Sequence, residues 1–108
     1  MNPELDQKLA ALADKIRIEY QVAADPARPI ELRVDGLCEN PGAMHIGLFA
    51  RQDQNTLFAE HLFVGHGTCN EAEYLAVKSG LTLVQSLCPT PAVPVAVNLS
   101  AKQFSVDL

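Results

Sequence analysis

Leu32-Arg33-Val34-Asp35-Gly36-Leu37-Cys38-Glu39-Asn40-Pro41-Gly42, answered further along by Asn70-Glu71-Ala72-Glu73-Tyr74-Leu75-Ala76, is the stretch around which the rest of the chain arranges itself. From Ile30 to Asp35 apolar and polar residues alternate. Ile30, Leu32 and Val34 therefore face one way and Glu31, Arg33 and Asp35 the other, the period of a strand with one buried face. Asp35 falls at the carboxyl end of that strand, where Asp before Gly is first of all a strand terminator and turn former. Glu73 shares a helical stripe with Ala76, Val77, Gly80 and Val84, so its carboxylate lies in the first turn of a core-facing side. A carboxylate in that position is costly unless something pairs with it. The dipole at the helix start would offset at most about 1 kcal/mol of the cost; a divalent cation shared with Asp35 is the sharper alternative.

Upstream, residues 2 to 20 have the pattern of an amphipathic helix. Asn2 can cap it, Pro3 suits its first position, and Leu5, Leu9, Leu12 and Ile16 recur at helical spacing. This helix should pack on the rest of the chain or on a partner. Asp25-Pro26-Ala27-Arg28-Pro29 then breaks the helix, because proline cannot continue it and pushes the preceding residue towards extended geometry. The expected division is a helical segment 1–24, a linker 25–29 and a domain 30–108. Downstream, residues 45 to 51 and 56 to 64 predict two strands joined by Gln52-Asp53-Gln54-Asn55, an antiparallel meander with the first strand. Gly65-His66-Gly67-Thr68 turns the chain into a helix from Cys69 to Leu87, which stops before Pro89-Thr90-Pro91. Residues 93 to 99 alternate around Val93, Val95, Val97 and Leu99. A strand reached through a helical crossover is parallel to the strand it joins, with a right-handed connection.

The run Val34-Asp35-Gly36, Asn40-Pro41-Gly42, Ile46-Gly47, Asn70-Glu71-Ala72-Glu73-Tyr74 and Gly80-Leu81 resembles the ribonuclease H family, in the family's order and approximate spacing over residues 30 to 87. The resemblance implies an α/β fold with a mixed sheet: an antiparallel meander, a crossover helix and a fourth, parallel strand beside the first, here with an extra amino-terminal helix. It also implies that Asp35 and Glu73 are metal-binding carboxylates for magnesium or manganese, and that Asn40, Gly42 and Asn70 touch the sugar-phosphate backbone of an RNA–DNA hybrid. Three departures stand out. The turn from Asp35 to Asn40 is one residue short, His45 stands where a small residue is common, and Cys69 replaces a frequent Asn.

The tail departs further. The family has an Asp at the end of the fourth strand, before a helix; strand alternation and the apolar Phe104 and Leu108 of the following helix put Ser100 there, with Asn98 as a second candidate two residues earlier. Ser100 thus completes the expected catalytic set of Asp35, Glu73 and Ser100, but it is neutral and offsets none of a cation's charge, so the metal should be weakly held. The family's last acid lies beyond a fifth strand, which the reading expects to be missing before Leu108. A truncated or fused frame and a degenerate, catalytically inactive binding or assembly module both fit. Val95 to Phe104 also resembles a segment of the EAL-type cyclic-di-GMP phosphodiesterases over about fifteen residues, where the Asn of Val-Asn-Leu-Ser is a metal ligand. The barrel of that family needs on the order of 250 residues, and its Glu-Ala-Leu signature is absent.

The 108 residues, 48% of them hydrophobic, suffice for one domain with a real core. No apolar run approaches the ~18 residues of a membrane span, and no secretory leader is evident. Cys38, Cys69 and Cys88 lack any Cys-x-x-Cys spacing and read as reduced thiols of a cytoplasmic protein rather than as zinc ligands or a disulfide. His45, His61 and His66 match no common zinc spacing and read as surface or turn residues. The net charge of −5 gives no basic footprint for a duplex: Lys8, Lys15, Arg17, Arg28, Arg33, Arg51, Lys78 and Lys102 are scattered singly. A homodimer that buries an unpaired strand edge is left open by the sequence.

Overall fold

The computed structural model describes residues 3–20, 24–39, 41–99 and 102–108, with the backbone alone at residue 102. The alternation at residues 30 to 34 is realised as one buried and one outward face: Ile30, Leu32 and Val34 are buried, while Arg33 and Asp35 are exposed. The strand itself, β1 (Glu31–Cys38), continues beyond Asp35. Asp35-Gly36 therefore does not terminate it, because pairing to the next strand runs on through Cys38 opposite Met44. That next strand is β2 (Gly42–Gln52), and β3 (Asn55–Gly67) returns antiparallel to it. Both are longer than side-chain alternation suggests, since the pairing runs on past a register shift between Met44 and His45, through Met44, Ala43 and Gly42 opposite Gly65, His66 and Gly67. Asp53 turns the β2–β3 hairpin with φ 57°, a left-handed conformation that Asp tolerates.

α2 (Cys69–Leu87) starts where Thr68 caps it, its hydroxyl accepting from the Glu71 amide at 3.2 Å. Its buried face, Ala72, Ala76, Ser79, Gly80, Leu83 and Val84, is rich in small residues and lies close on β1. A Cβ at Gly80 would stand 2.9 Å from both Leu32 Cδ2 and Val34 Cγ1. The chain then enters β4 (Val95–Leu99), parallel to β1, with Leu32 opposite Val97 and Val34 opposite Leu99. The helix expected after β4 is instead a strand, β5 (Lys102–Val106), antiparallel to β4 with Phe104 opposite Val97. Gln103-Phe104-Ser105-Val106 alternates polar and apolar residues, which suits an edge strand better than a helix. This fifth strand corrects the expectations that no fifth strand is present and that a helix follows β4. The sheet order is β3-β2-β1-β4-β5.

The amino-terminal helix, α1 (Pro3–Glu19), packs inside the same chain. Its buried Leu5, Leu9, Leu12, Ala13 and Ile16 join one continuous core with α2 and the inner face of the sheet. Burying such aliphatic side chains stabilises by about 1.5–3 kcal/mol each before the entropy of ordering is subtracted. The segment after α1 is tied down by Gln52, whose buried side chain accepts from the Asp25 amide at 2.8 Å and donates to the carbonyls of Asp25 and Arg28 at 2.7 and 3.1 Å. Arg28 also pairs with Asp53 at 2.7 Å. Both helices thus cover the inner face. The outer face, carrying Arg33, Asp35, His45, Gly47, Phe49 and His61, has no helix over it among the described residues.

Candidate functional site

Pairing between β1 and β4 ends at Val34 and Leu99. From Asp35 onward, β1 has no strand neighbour on that side among the described residues, and at Gly36 the start of α2 comes up against the strand's inner face. The contact is backbone to backbone. A Cβ built on Gly36 would lie 2.5 Å from the Glu73 amide nitrogen and 2.6 Å from the Ala72 carbonyl oxygen, so only glycine lets the helix approach this closely. Asp35 adjoins one side of this contact and Glu73 forms the other. The backbones at Asp35 and Glu73, 38 positions apart by their numbers, are therefore brought close together. Asp35 is exposed and Glu73 half-buried.

A second link fastens the same junction. Cys38 and Cys69 form a disulfide with their Cα atoms 5.3 Å apart, joining the end of β1 to the first residue of α2. This corrects the reading of three reduced thiols; only Cys88 is free, and it is buried. The signal lay in the offsets. Cys38 follows Asp35 by three residues and Cys69 precedes Glu73 by four, so once the end of β1 meets the start of α2 with opposed chain directions the two cysteines can meet as well.

The remaining site residues divide. Gly42 opens β2 opposite Gly67, next to the Thr68 cap, and Asn70 is exposed in the first turn of α2, so both lie at the amino end of that helix. Asn40 and Ser100 lie outside the described residues. Asn98 pairs with Arg33 across the strands and turns its amide to Glu31, 3.4 Å away, rather than to Asp35. Sequence reasoning passed over Glu31 itself. It accepts from Arg33 Nε at 2.7 Å and from Arg51 Nε and Nη2 at 3.0 and 2.9 Å, which fixes two guanidinium groups on the outer face. The hydrogen bond from Arg33 holds the Glu31 carboxyl below its ordinary range; burial pulls the other way, and Arg51 adds to the lowering. A cavity of about 390 Å³ runs from Asp35 past Arg33 and Glu31 to Asn98 and Gln103.

Solved structures similar to this chain include ribonucleases H. LC11-RNase H1, in complex with an RNA/DNA hybrid, superimposes with a TM-score of 0.61 at 29% identity over 68% of this chain and 55% of that one. The fold is ribonuclease H-like. A second structure of LC11-RNase H1, isolated from compost by a metagenomic approach, has a TM-score of 0.61 at 29% identity over 69% of this chain and 56% of that one. The N-terminal RNase H domain of rv2228c from Mycobacterium tuberculosis, solved as a fusion with maltose binding protein, shares the fold at 24% identity and a TM-score of 0.59, over 70% of this chain and 55% of that one. The chain therefore spans little more than half the length of these ribonuclease H structures. No family model matches the chain, and no curated protein does.

The donor set bears on any cation. Among the described residues, no three His, Cys, Asp or Glu side chains converge where they could hold a metal ion. Asp35 and Glu73 are the carboxylates nearest the backbone contact at Gly36, and one magnesium ion needs only one or two carboxylates, keeping waters or substrate phosphates for its other positions. They do not fit a two-ion site, whose mutual repulsion needs more negative charge than Asp35 and Glu73 carry. No helix is long and apolar enough to cross a membrane among the described residues.

Proposed function

We propose that this chain is a ribonuclease H-like nucleic-acid-binding domain whose Asp35 and Glu73 hold one magnesium or manganese ion against the backbone of an RNA–DNA hybrid. The observation that supports this reading is the side-chain-free contact of Gly36 on the Ala72–Glu73 peptide, which brings the backbones of two acidic residues distant in sequence close together. The hybrid bound to LC11-RNase H1 supports the ligand class. When bound, the ion supplies positive charge next to a phosphate. The chain's own residues do the rest: Asp35 and Glu73 orient the ion's ligand field, Gly42 at the start of β2 touches a sugar-phosphate backbone, and the Asn70 amide offers it a donor. Asn40 and Ser100 complete the proposed contact and catalytic sets. Recognition follows helix shape and the 2′-hydroxyl rather than base sequence. In a reducing cytoplasm Cys38 and Cys69 would stand as thiols, and the cytoplasmic location we favour goes with that form.

A second reading, a binding or assembly module without hydrolysis, is favoured by the lack of a third metal-binding donor near the pair. Calorimetric titration with magnesium chloride, followed by incubation with a labelled hybrid, separates the two. The enzyme reading expects metal heat and hybrid cleavage, both abolished by Asp35→Asn and Glu73→Gln. Hybrid binding without cleavage selects the module. Magnesium heat that survives both substitutions, or no binding of the hybrid at all, rejects the proposal.

A further inference from the structure

Four aromatic rings that the proposed function leaves unused run in succession over the outer face of β2 and β3. His61 stacks on His45 with centroids 5.4 Å apart and planes within 13°. His45 meets Phe63 at 5.4 Å, and Phe63 meets His66 edge-on at 5.6 Å. Phe63 is 40% exposed, and His61 and His66 are exposed. His45 Nδ1 is buried without a hydrogen-bond partner among the described residues, so ring contacts rather than a polar bond at that atom hold the imidazole. A cation joins the series: Lys8 Nζ sits 5.5 Å from the Phe63 centroid and donates to the Phe63 carbonyl at 3.2 Å.

The ladder is continuous with the carboxylate site. Asp35, Gly47 and His61 are successive partners across β1, β2 and β3, so about 10 Å, two strand spacings, separates the ends of that row. Between them an open trough of about 670 Å³ is lined by Arg33, Asp35, Gly47, Phe49, Ala59 and His61. Its middle is bare, because a Cβ on Gly47 would meet nothing within 4 Å. A row of rings of which His61, Phe63 and His66 are exposed, a lysine beside it and an open path towards a candidate phosphate site together match what an unpaired nucleic-acid strand needs. Each base has a π-face to stack, and the backbone needs a route beside positive charge. A duplex keeps its bases stacked on one another and offers no such faces.

We propose that His61, His45, Phe63 and His66 form a stacking surface for the bases of a single nucleic-acid strand, such as the overhang of a hybrid, whose backbone crosses the Gly47 trough towards Asp35. The ligand class rests on the nucleic-acid reading above, but the test uses neither metal nor cleavage. A labelled oligothymidylate and an abasic oligonucleotide of equal length are titrated with the full chain in magnesium-free buffer. The oligothymidylate should bind at least about tenfold more tightly than the abasic strand, and Phe63→Ala with His61→Ala should remove about that factor while leaving the melting temperature unchanged. The chain has no tryptophan, so Phe63→Trp introduces a lone indole, excited selectively over Tyr20 and Tyr74, whose emission stacking bases should quench. Equal binding of the two strands, an indifferent double variant, an unquenched Trp variant or no oligothymidylate binding would each overturn the proposal. Loss of base-dependent binding in the double variant with magnesium heat intact would leave the carboxylate reading standing, and base-dependent binding without any magnesium heat would leave the ladder standing alone.

Discussion

A methyl group at position 36 has nowhere to go, because the atoms it would strike are the backbone of Ala72 and Glu73 rather than a side chain that can turn aside. Gly36→Ala should therefore cost about 1–3 kcal/mol of stability, the range for overpacking, and should weaken magnesium binding by pushing Glu73 away from Asp35. Leu83→Ala, at a fully buried position on the same helix, serves as the control: it should destabilise by about 2–5 kcal/mol yet leave magnesium heat unchanged. Alternation placed Asp35 on the outward face of β1 and helical spacing placed Glu73 in the first turn of α2, while their pairing as metal ligands came from the resemblance to the ribonuclease H family. The role of Gly36 was not, since the Asp-Gly pattern of a strand end is the same pattern as a glycine under a helix. Glu31 makes a second residue-scale prediction. Its carboxyl is held low in the folded chain, so the stabilisation it gives is present above its unfolded value near pH 4.3 and is lost as pH falls through the lower folded value. Its side chain is 27% exposed, which limits the effect to about 1 kcal/mol. Melting curves of Glu31→Gln and the parent should differ at pH 7 and converge under strong acid; a constant gap would mean that packing, not charge, is what Gln fails to replace.

Between elements, the junction of β1 with α2 depends on a bond that local sequence signals did not reveal. Strand alternation and helix stripes describe single elements, and the two cysteines lie in different ones. The same limit explains β5: with Ser100 and Ala101 ahead of it, five residues of mixed polarity carry too little periodicity to separate a short edge strand from a helical turn, and pairing with β4 decides the matter. By contrast α2 was legible from end to end, because Thr68 and Pro89 bound a long run with one apolar face. The Cys38–Cys69 bond closes a loop with a sequence separation of 31, and restricting the unfolded chain by a loop of that length is worth about 3–4 kcal/mol in the loop-entropy model. Reduction should lower the melting temperature accordingly and, if the bond also steadies Glu73 beside Gly36, should weaken magnesium binding. Thiol titration of the unreduced chain in denaturant should give one reactive group, Cys88, rising to three after reduction. In the folded chain Cys88 should react slowly, because burial, aided by the charge of Asp25, pushes its thiol up. Three thiols without reductant would show that the bond does not form.

At the scale of the molecule, the question is what protects a five-stranded open sheet from pairing with another copy. Its outer strands are β3 and β5. Exposed edges carry unpaired amides and carbonyls that invite a further strand. On β3 that invitation is answered by α1. The Tyr20 hydroxyl donates to the Ala59 carbonyl at 3.1 Å and accepts from the Ala59 amide at 3.2 Å, while Lys8 occupies the Phe63 carbonyl. The stripe of Leu5, Leu9, Leu12 and Ile16 predicted that α1 packs on something, but which edge its polar residues would reach depends on how it lies against α2 and β3, which no single stretch encodes. If edge cover is the purpose of these bonds, Tyr20→Phe combined with Lys8→Ala frees two points of the β3 edge without touching the buried stripe. Light scattering across a concentration series should then show association that exceeds the parent's, with helix content retained by circular dichroism. An unchanged mass would assign self-pairing, if the parent shows any, to β5, where Gln103, Phe104 and Ser105 are exposed; Phe104→Lys, which places a charge on that strand, should then return the parent to a monomer.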